Sequence, residues 1–158
     1  MKSRIFSLKS KDYKLVSPLF LRLIIGSGFL IHGWAKLHSG SPAGFEKLLI
    51  LLGIPLAHLM AWITPIVEML GGLAILLGFL SGMTAIPLIL TMLVALFSVH
   101  IKNGFSSINT IGLDSNGPVF GQPGYEINLL YIAGLLSLMF TGSGIFSLDK
   151  FIVAKRSK

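Results

Sequence analysis

The sequence contains no cysteine. Disulfides, thiolate-held metals and thiol–disulfide exchange carried by this chain are therefore excluded. Charge is scarce too: 12% of the 158 residues are charged, with 6 acidic side chains against 13 Lys and Arg. A water-soluble chain of this length must cover itself with polar side chains, and this one has too few. Nucleotide-binding glycine motifs, a phosphate loop and a Ser/His/Asp set are also missing. Gly142-Ser143-Gly144 has no phosphate-binding context and reads as a helix stop. No internal repeat is visible, which weighs against a secondary transporter unless the chain dimerises.

What the chain has in abundance is hydrocarbon: 53% of its residues are apolar, and its mean hydropathy is +0.83. The length allows one domain. Four apolar stretches run from about Val16 to Leu37, Leu59 to Leu80, Met83 to Ile101 and Tyr125 to Thr141. Each is near the roughly 20 residues that a helix needs to cross the hydrocarbon layer. The fold class expected is an all-α membrane protein, a bundle of four transmembrane helices. The first stretch reads as an uncleaved span, because it is long, carries Arg22 and has no small-x-small cleavage site after it.

The connections differ in character. Ser41-Pro42 is a helix start, Phe45, Leu48, Leu49 and Leu52 recur at helical spacing, and Gly53 and Pro55 are a stop. This piece is too short to span, so a short interfacial helix is expected after the first span. Ser81-Gly82 reads as a tight turn. Lys102 to Gly124 is rich in Gly, Asn, Ser and Pro, with a hairpin turn signal at Ser115-Asn116-Gly117.

The net charge of +7 is concentrated at the ends. Lys2, Arg4, Lys9, Lys11 and Lys14 lie in the first segment, and Lys150, Lys155, Arg156 and Lys158 in the last. Basic clusters beside apolar spans face anionic headgroups. A nucleic-acid site would need a basic face on a folded domain, and none is visible. The organisation expected is a basic segment 1–14, a membrane domain 15–149 and a basic tail 150–158. With four spans both ends share one side, and the positive-inside rule makes that side cytoplasmic.

Polar side chains within apolar spans each cost about 2–3 kcal/mol at mid-bilayer on insertion scales, so each needs a partner or a wet cavity. Glu68 lies mid-span, protonated or paired. Arg22, Gly26, Phe29, Gly33 and Lys36 share one stripe of the first helix. That stripe offers Arg22 to Glu68, with snorkelling to headgroups the alternative. A second group gathers at the outer end of the bundle: His32 and Lys36, His100, then Tyr125 and Glu126, with Asn103 and Gln122 close by. A mouth lined this way can bind a polar headgroup such as that of a quinone, or pass protons. Ordinary interfacial polarity explains the same residues without a site. Haem ligation by His32 and His100, or zinc held by His32, His100 and Glu126, would use suitable ligand types, but the spacing singles out neither. His38 and His58 fall in or beside the outer loop.

Several motifs in this order resemble the DoxX family. They are Arg22 with Gly-x-x-Phe-Leu-Ile-His-Gly-x-x-Lys over Gly26 to Lys36, then Glu68-x-x-Gly-Gly-Leu-Ala-x-Leu-Leu-Gly to Gly78. His100, Asn103, Gly104 and Phe105 follow, then Gly124-Tyr125-Glu126 and Asn128, and finally Gly142 to Asp149. The resemblance covers about Leu15 to Lys150. It implies a four-helix bacterial inner-membrane protein, with Arg22, Lys36, Glu68 and Glu126 as the family's polar positions. It also implies an association with quinol oxidation or quinone-linked redox complexes. The function expected is the membrane subunit of a quinone- or quinol-linked oxidoreductase with a redox partner subunit. Its cofactor would be a quinone or quinol, with no haem or metal site evident. Glu68, Glu126 and His32 are then the catalytic candidates, and Arg22, Lys36, His100, Asn103 and Tyr125 the ligand-binding ones. A non-enzymatic membrane scaffold or a small-solute carrier module is the alternative, and a homo-oligomer is among the expected assemblies.

Overall fold

A computed structural model describes residues 10–38 and 41–156. Its helices are α1 (Ser10–His38), α2 (Ser41–Leu51), α3 (Ala57–Leu77), α4 (Ser81–Ala95), α5 (Glu126–Thr141) and α6 (Leu148–Arg156). Helix α4 continues through a π-turn, Leu96–His100, and a 3₁₀ turn, Ile101–Asn103. Three segments are long and apolar enough to cross a membrane: Val16–His38, Ala57–Leu77 and Ser81–Asn103. Helix α5 is a shorter apolar helix. Such helices expose hydrocarbon all round, as at Phe20, Ile31, Leu70, Leu90 and Phe140, and that surface belongs in a lipid bilayer.

Helix α1 packs on α3 through glycine, and antiparallel to it. A Cβ at Gly72 would lie 2.7 Å from the Gly26 carbonyl oxygen, and one at Gly33 would lie 2.7 Å from the Pro65 carbonyl oxygen. Only residues without a side chain allow two backbones this close. The core then fills with Ile25 and Phe29 of α1, Ile75 of α3, Ala85, Leu88 and Met92 of α4, and Leu135 and Leu138 of α5.

The connections carry their own chemistry. Helix α3 ends on Gly78 in the left-handed conformation, which a residue without Cβ adopts freely. Leu80 adopts it too, at φ 47°. That strained backbone is held by the Asp149 carboxylate, which accepts from the Leu80 N–H at 3.0 Å. The expected hairpin is present: β1 (Thr110–Asp114) pairs antiparallel with β2 (Gly117–Phe120) across the Asn116 turn.

Two expectations change. The first helix starts at Ser10, six residues before the apolar stretch, so Lys11 and Lys14 belong to it. The basic tail folds as α6 instead of trailing from Lys150. Ser147 explains this: its hydroxyl accepts from the Lys150 N–H, the geometry of a helix N-cap. Asp149 in the first turn adds a favourable interaction with the helix dipole. The basic cluster Lys2, Arg4 and Lys9, and Lys158, lie outside the described residues.

Candidate functional site

Glu68 faces inward from the middle of α3 and is 1% exposed. Its carboxylate is ion-paired through both oxygens with the Lys36 ammonium from the last turns of α1. The stripe that offered Arg22 as the partner is therefore corrected. Helix geometry gives the reason. Every Cα–Cβ bond tilts toward its own helix N-terminus. In an antiparallel pair, Lys36 thus reaches inward along α1 and Glu68 reaches outward along α3, so the two meet. Arg22 tilts the same way along α1 but starts beyond Glu68, so it reaches away from the carboxylate toward the C-terminal end of α3.

Arg22 is 2% exposed and makes four hydrogen bonds, all to backbone. Its Nε donates to the Ile75 carbonyl at 2.9 Å and its Nη2 to Leu76 at 2.6 Å. Its Nη1 donates to Ser143 at 2.8 Å and Phe146 at 2.6 Å. The guanidinium satisfies carbonyls at the C-terminal end of α3, where a cation is favoured, and fastens the α5–α6 connection to them. Beside it, Ser143 donates to Asp149 at 2.7 Å and lies 2.9 Å from the Ser81 hydroxyl.

The Lys36–Glu68 pair forms one wall of a cavity of about 770 Å³ enclosed by α1, α2, α3, α4 with its π-turn, and α5. Most of the lining is apolar, including Leu49, Leu52, Val67 and Met92. Ile63, Leu90 and Val94 line the cavity and are also exposed on the bundle surface. Helix α2 and the residue after it close the cavity on another side through Phe45, Leu48, Leu49 and Leu52, and the Phe45 ring sits 5.5 Å from the Lys36 ammonium. At that distance the ring face attracts the cation.

The predicted site residues divide. His32, Lys36, Glu68 and His100 line this cavity. The His32 ring stacks 6.0 Å from Tyr131, which also lines it. His100 Nδ1 donates to the Pro123 carbonyl at 3.0 Å, and Asn103 donates to the same oxygen at 3.2 Å. Asn103, Tyr125, Glu126 and Arg22 are outside the lining. Glu126 accepts from the Ser107 N–H at 2.9 Å and its hydroxyl at 2.8 Å. Tyr125 meets Phe105 edge-on at 5.5 Å. Both therefore fasten the segment before the hairpin to the start of α5. His58 pairs with Glu46 at 3.1 Å on the exposed face of α2 and α3.

Sequence reasoning missed Thr64, Thr91, Ser98 and Tyr131 as lining residues. A signal existed for two of them. Thr91 and Ser98 are seven apart and so share one helix face, a polar stripe within an otherwise apolar span.

Comparison with known proteins places this architecture. The sequence model of one family, described as DoxX, matches residues 17–101. An uncharacterized membrane protein of Mycobacterium tuberculosis is 28% identical over 85% of this chain and 80% of its own length. CatD of Bacillus subtilis, provisionally named an oxidoreductase, is 26% identical over 87% of each chain. The inner membrane protein YqjF of Escherichia coli is 29% identical over 92% of this chain and 98% of its own. No solved structure matches.

Proposed function

The chain belongs to the DoxX family, and on that premise we propose that it is the membrane subunit of a quinone- or quinol-linked oxidoreductase. One observation carries the reading: a largely apolar cavity of about 770 Å³ has on its wall an ion pair whose carboxylate is buried. A lipid-soluble ring with oxygen substituents matches both properties, because hydrocarbon surrounds the ring while fixed charge meets its oxygens. The cavity volume lies within the range typical of small-molecule sites.

In this reading two electrons pass between the ring and a partner redox subunit. Two protons pass between the ring oxygens and the ionisable wall formed by Glu68 and His32. Lys36 holds an oxygen, and His100 borders the ring. Asn103, Tyr125 and Glu126 keep the hairpin segment in place above the cavity, and Arg22 keeps α1, α3 and the α5–α6 connection in register. Ile63, Leu90 and Val94 mark a lateral entrance between α3 and α4 for a ligand dissolved in the bilayer. The name of CatD supports a redox role, and that of YqjF supports a bacterial inner membrane.

The proposal includes four spans, with α2 in the interface and both ends cytoplasmic. Helix α5 has 16 residues, about 24 Å of rise, and a small local thinning of the bilayer accommodates that. Its packing against α4 and α1 supports counting it with the three longer helices, as does the basic charge at both chain ends.

The test is purification of the full chain in mild detergent, followed by solvent extraction and identification of bound lipids. The expected result is a co-purifying isoprenoid quinone. Membranes carrying Glu68→Gln should also show slowed quinone turnover. Absence of bound quinone together with unchanged turnover in Glu68→Gln overturns the reading.

A further inference from the structure

The polar groups of the cavity wall differ in which hydrogen-bonding role they still have free. On α4, the Thr91 hydroxyl donates to the Leu88 carbonyl at 2.8 Å, and the Ser98 hydroxyl donates to the Val94 carbonyl. Each hydroxyl has a single proton, so on these two lining residues the oxygens have only lone pairs left to offer. The Asn128 amide nitrogen lies 3.8 Å from the Met92 sulfur and donates one of its two N–H groups to it, which leaves its carbonyl oxygen and its second N–H available.

His100 completes the pattern. Its Nδ1 meets the Pro123 carbonyl, and a carbonyl can only accept. Nδ1 therefore carries the proton. In the neutral ring, Nε2 is then an acceptor. The π-turn at Leu96–His100 places Ser98 and His100 on this wall together, and such turns recur at functional sites.

The opposite wall is mixed. Lys36 is a donor and Glu68 an acceptor, paired with each other, and Thr64 retains a hydroxyl with no hydrogen-bond partner among the described residues. The donors of the cavity therefore include Lys36 and Thr64 on α1 and α3, and the groups on α4 and its π-turn that still have a free role are acceptors.

We infer that the cavity selects the hydroxyl-bearing, reduced form of its ring ligand, a hydroquinone in preference to the corresponding quinone. The inference rests on the ring-binding cavity proposed above and names the redox form that it takes. A quinone has only carbonyl oxygens. It can accept from Lys36, but it leaves the acceptor wall facing lone pairs. A hydroquinone accepts from Lys36 through one oxygen and donates its other hydroxyl to His100, Ser98 or Thr91. A site whose buried polar groups go unpaired rejects the mismatched analogue strongly.

The experiment uses the full chain in lipid nanodiscs under anaerobic conditions. Tetramethylhydroquinone and tetramethylbenzoquinone are titrated separately. The expected result is hydroquinone affinity higher by about tenfold or more. Ser98→Ala and Thr91→Val should each reduce that preference about threefold while leaving quinone affinity unchanged. His100→Phe should reduce it further. The two alanine- and valine-type variants keep the helix intact if His100→Phe disturbs the Pro123 contact. Equal binding of both forms, or tighter binding of the quinone, overturns the inference and leaves the ring-binding cavity standing. A preference unchanged in all three variants also overturns it. No binding of either form overturns both readings.

Discussion

Two cations about four turns apart on the same helix meet different fates. Arg22 and Lys36 lie on one stripe of α1, and each is held against α3. Arg22 donates four of its five N–H groups to backbone carbonyls and does not line the cavity. Lys36 is bound on one side by Glu68, with the rest of its surroundings formed by a cavity wall. A buried charge held by backbone carbonyls on several elements acts as a fastening. One that is neutralised yet still borders open space remains available to a ligand. The difference separates scaffold from site without any knowledge of the ligand.

The comparison is broken most severely at Arg22. Arg22→Met should cost roughly 3–5 kcal/mol, because four carbonyls lose the donor of a buried side chain. Arg22→Lys should recover little of it, since an ammonium lacks the planar fork that reaches all four. Thermal unfolding of the purified protein in detergent measures both.

Glu68→Gln comes next. It leaves the Lys36 ammonium without its counter-charge and should cost about 2–3 kcal/mol. That is less than at Arg22, because Lys36 borders a cavity that water can enter. The same variant should weaken hydroquinone binding by at least about tenfold, which Arg22→Lys does only in proportion to its loss of folded protein. Titration of folded, monodisperse samples separates the two effects.

Gly72→Ala should cost about 1–2 kcal/mol by forcing α1 and α3 apart. Its Cβ would meet the Gly26 carbonyl oxygen at 2.7 Å and the Leu30 nitrogen at 2.8 Å. Because Arg22 and Lys36 both bridge these helices, this substitution should loosen both charges together, read as a lower melting temperature and weaker ligand binding. The smallest effect is expected at His58→Ala. Its pair with Glu46 is exposed, so stability should change by less than about 0.5 kcal/mol.

Much of this architecture is legible in the sequence, because a bilayer imposes length and hydropathy on every span. The long apolar runs mark α1, α3 and α4 to within a few residues, and Ser115-Asn116-Gly117 marks the β1–β2 turn. Glu68 stands out as a carboxylate with nowhere to snorkel. Its partner is harder to identify, since Arg22 and Lys36 occupy the same stripe and periodicity alone cannot rank them. The direction of the Cα–Cβ bonds in an antiparallel pair does rank them, and the glycines at 26, 33 and 72 contain the register. Glu126 shows the opposite limit. It sits at the right end of the bundle, yet its role depends on Ser107, which a loop brings back to it. Loop returns of this kind follow no period. The acceptor wall on α4 was hidden for a related reason: whether a hydroxyl offers a proton or a lone pair depends on where its own proton goes.

The most direct test is hydroquinone binding to the double variant Lys36→Met/Glu68→Gln, in the full chain and in nanodiscs. Removing both members of a buried pair leaves no unpaired charge, so the fold should survive. The account predicts a melting temperature close to that of the parent chain, with binding of tetramethylhydroquinone lost. Parent-like affinity in the well-folded double variant would contradict it and would reduce the ion pair to a second fastening like Arg22.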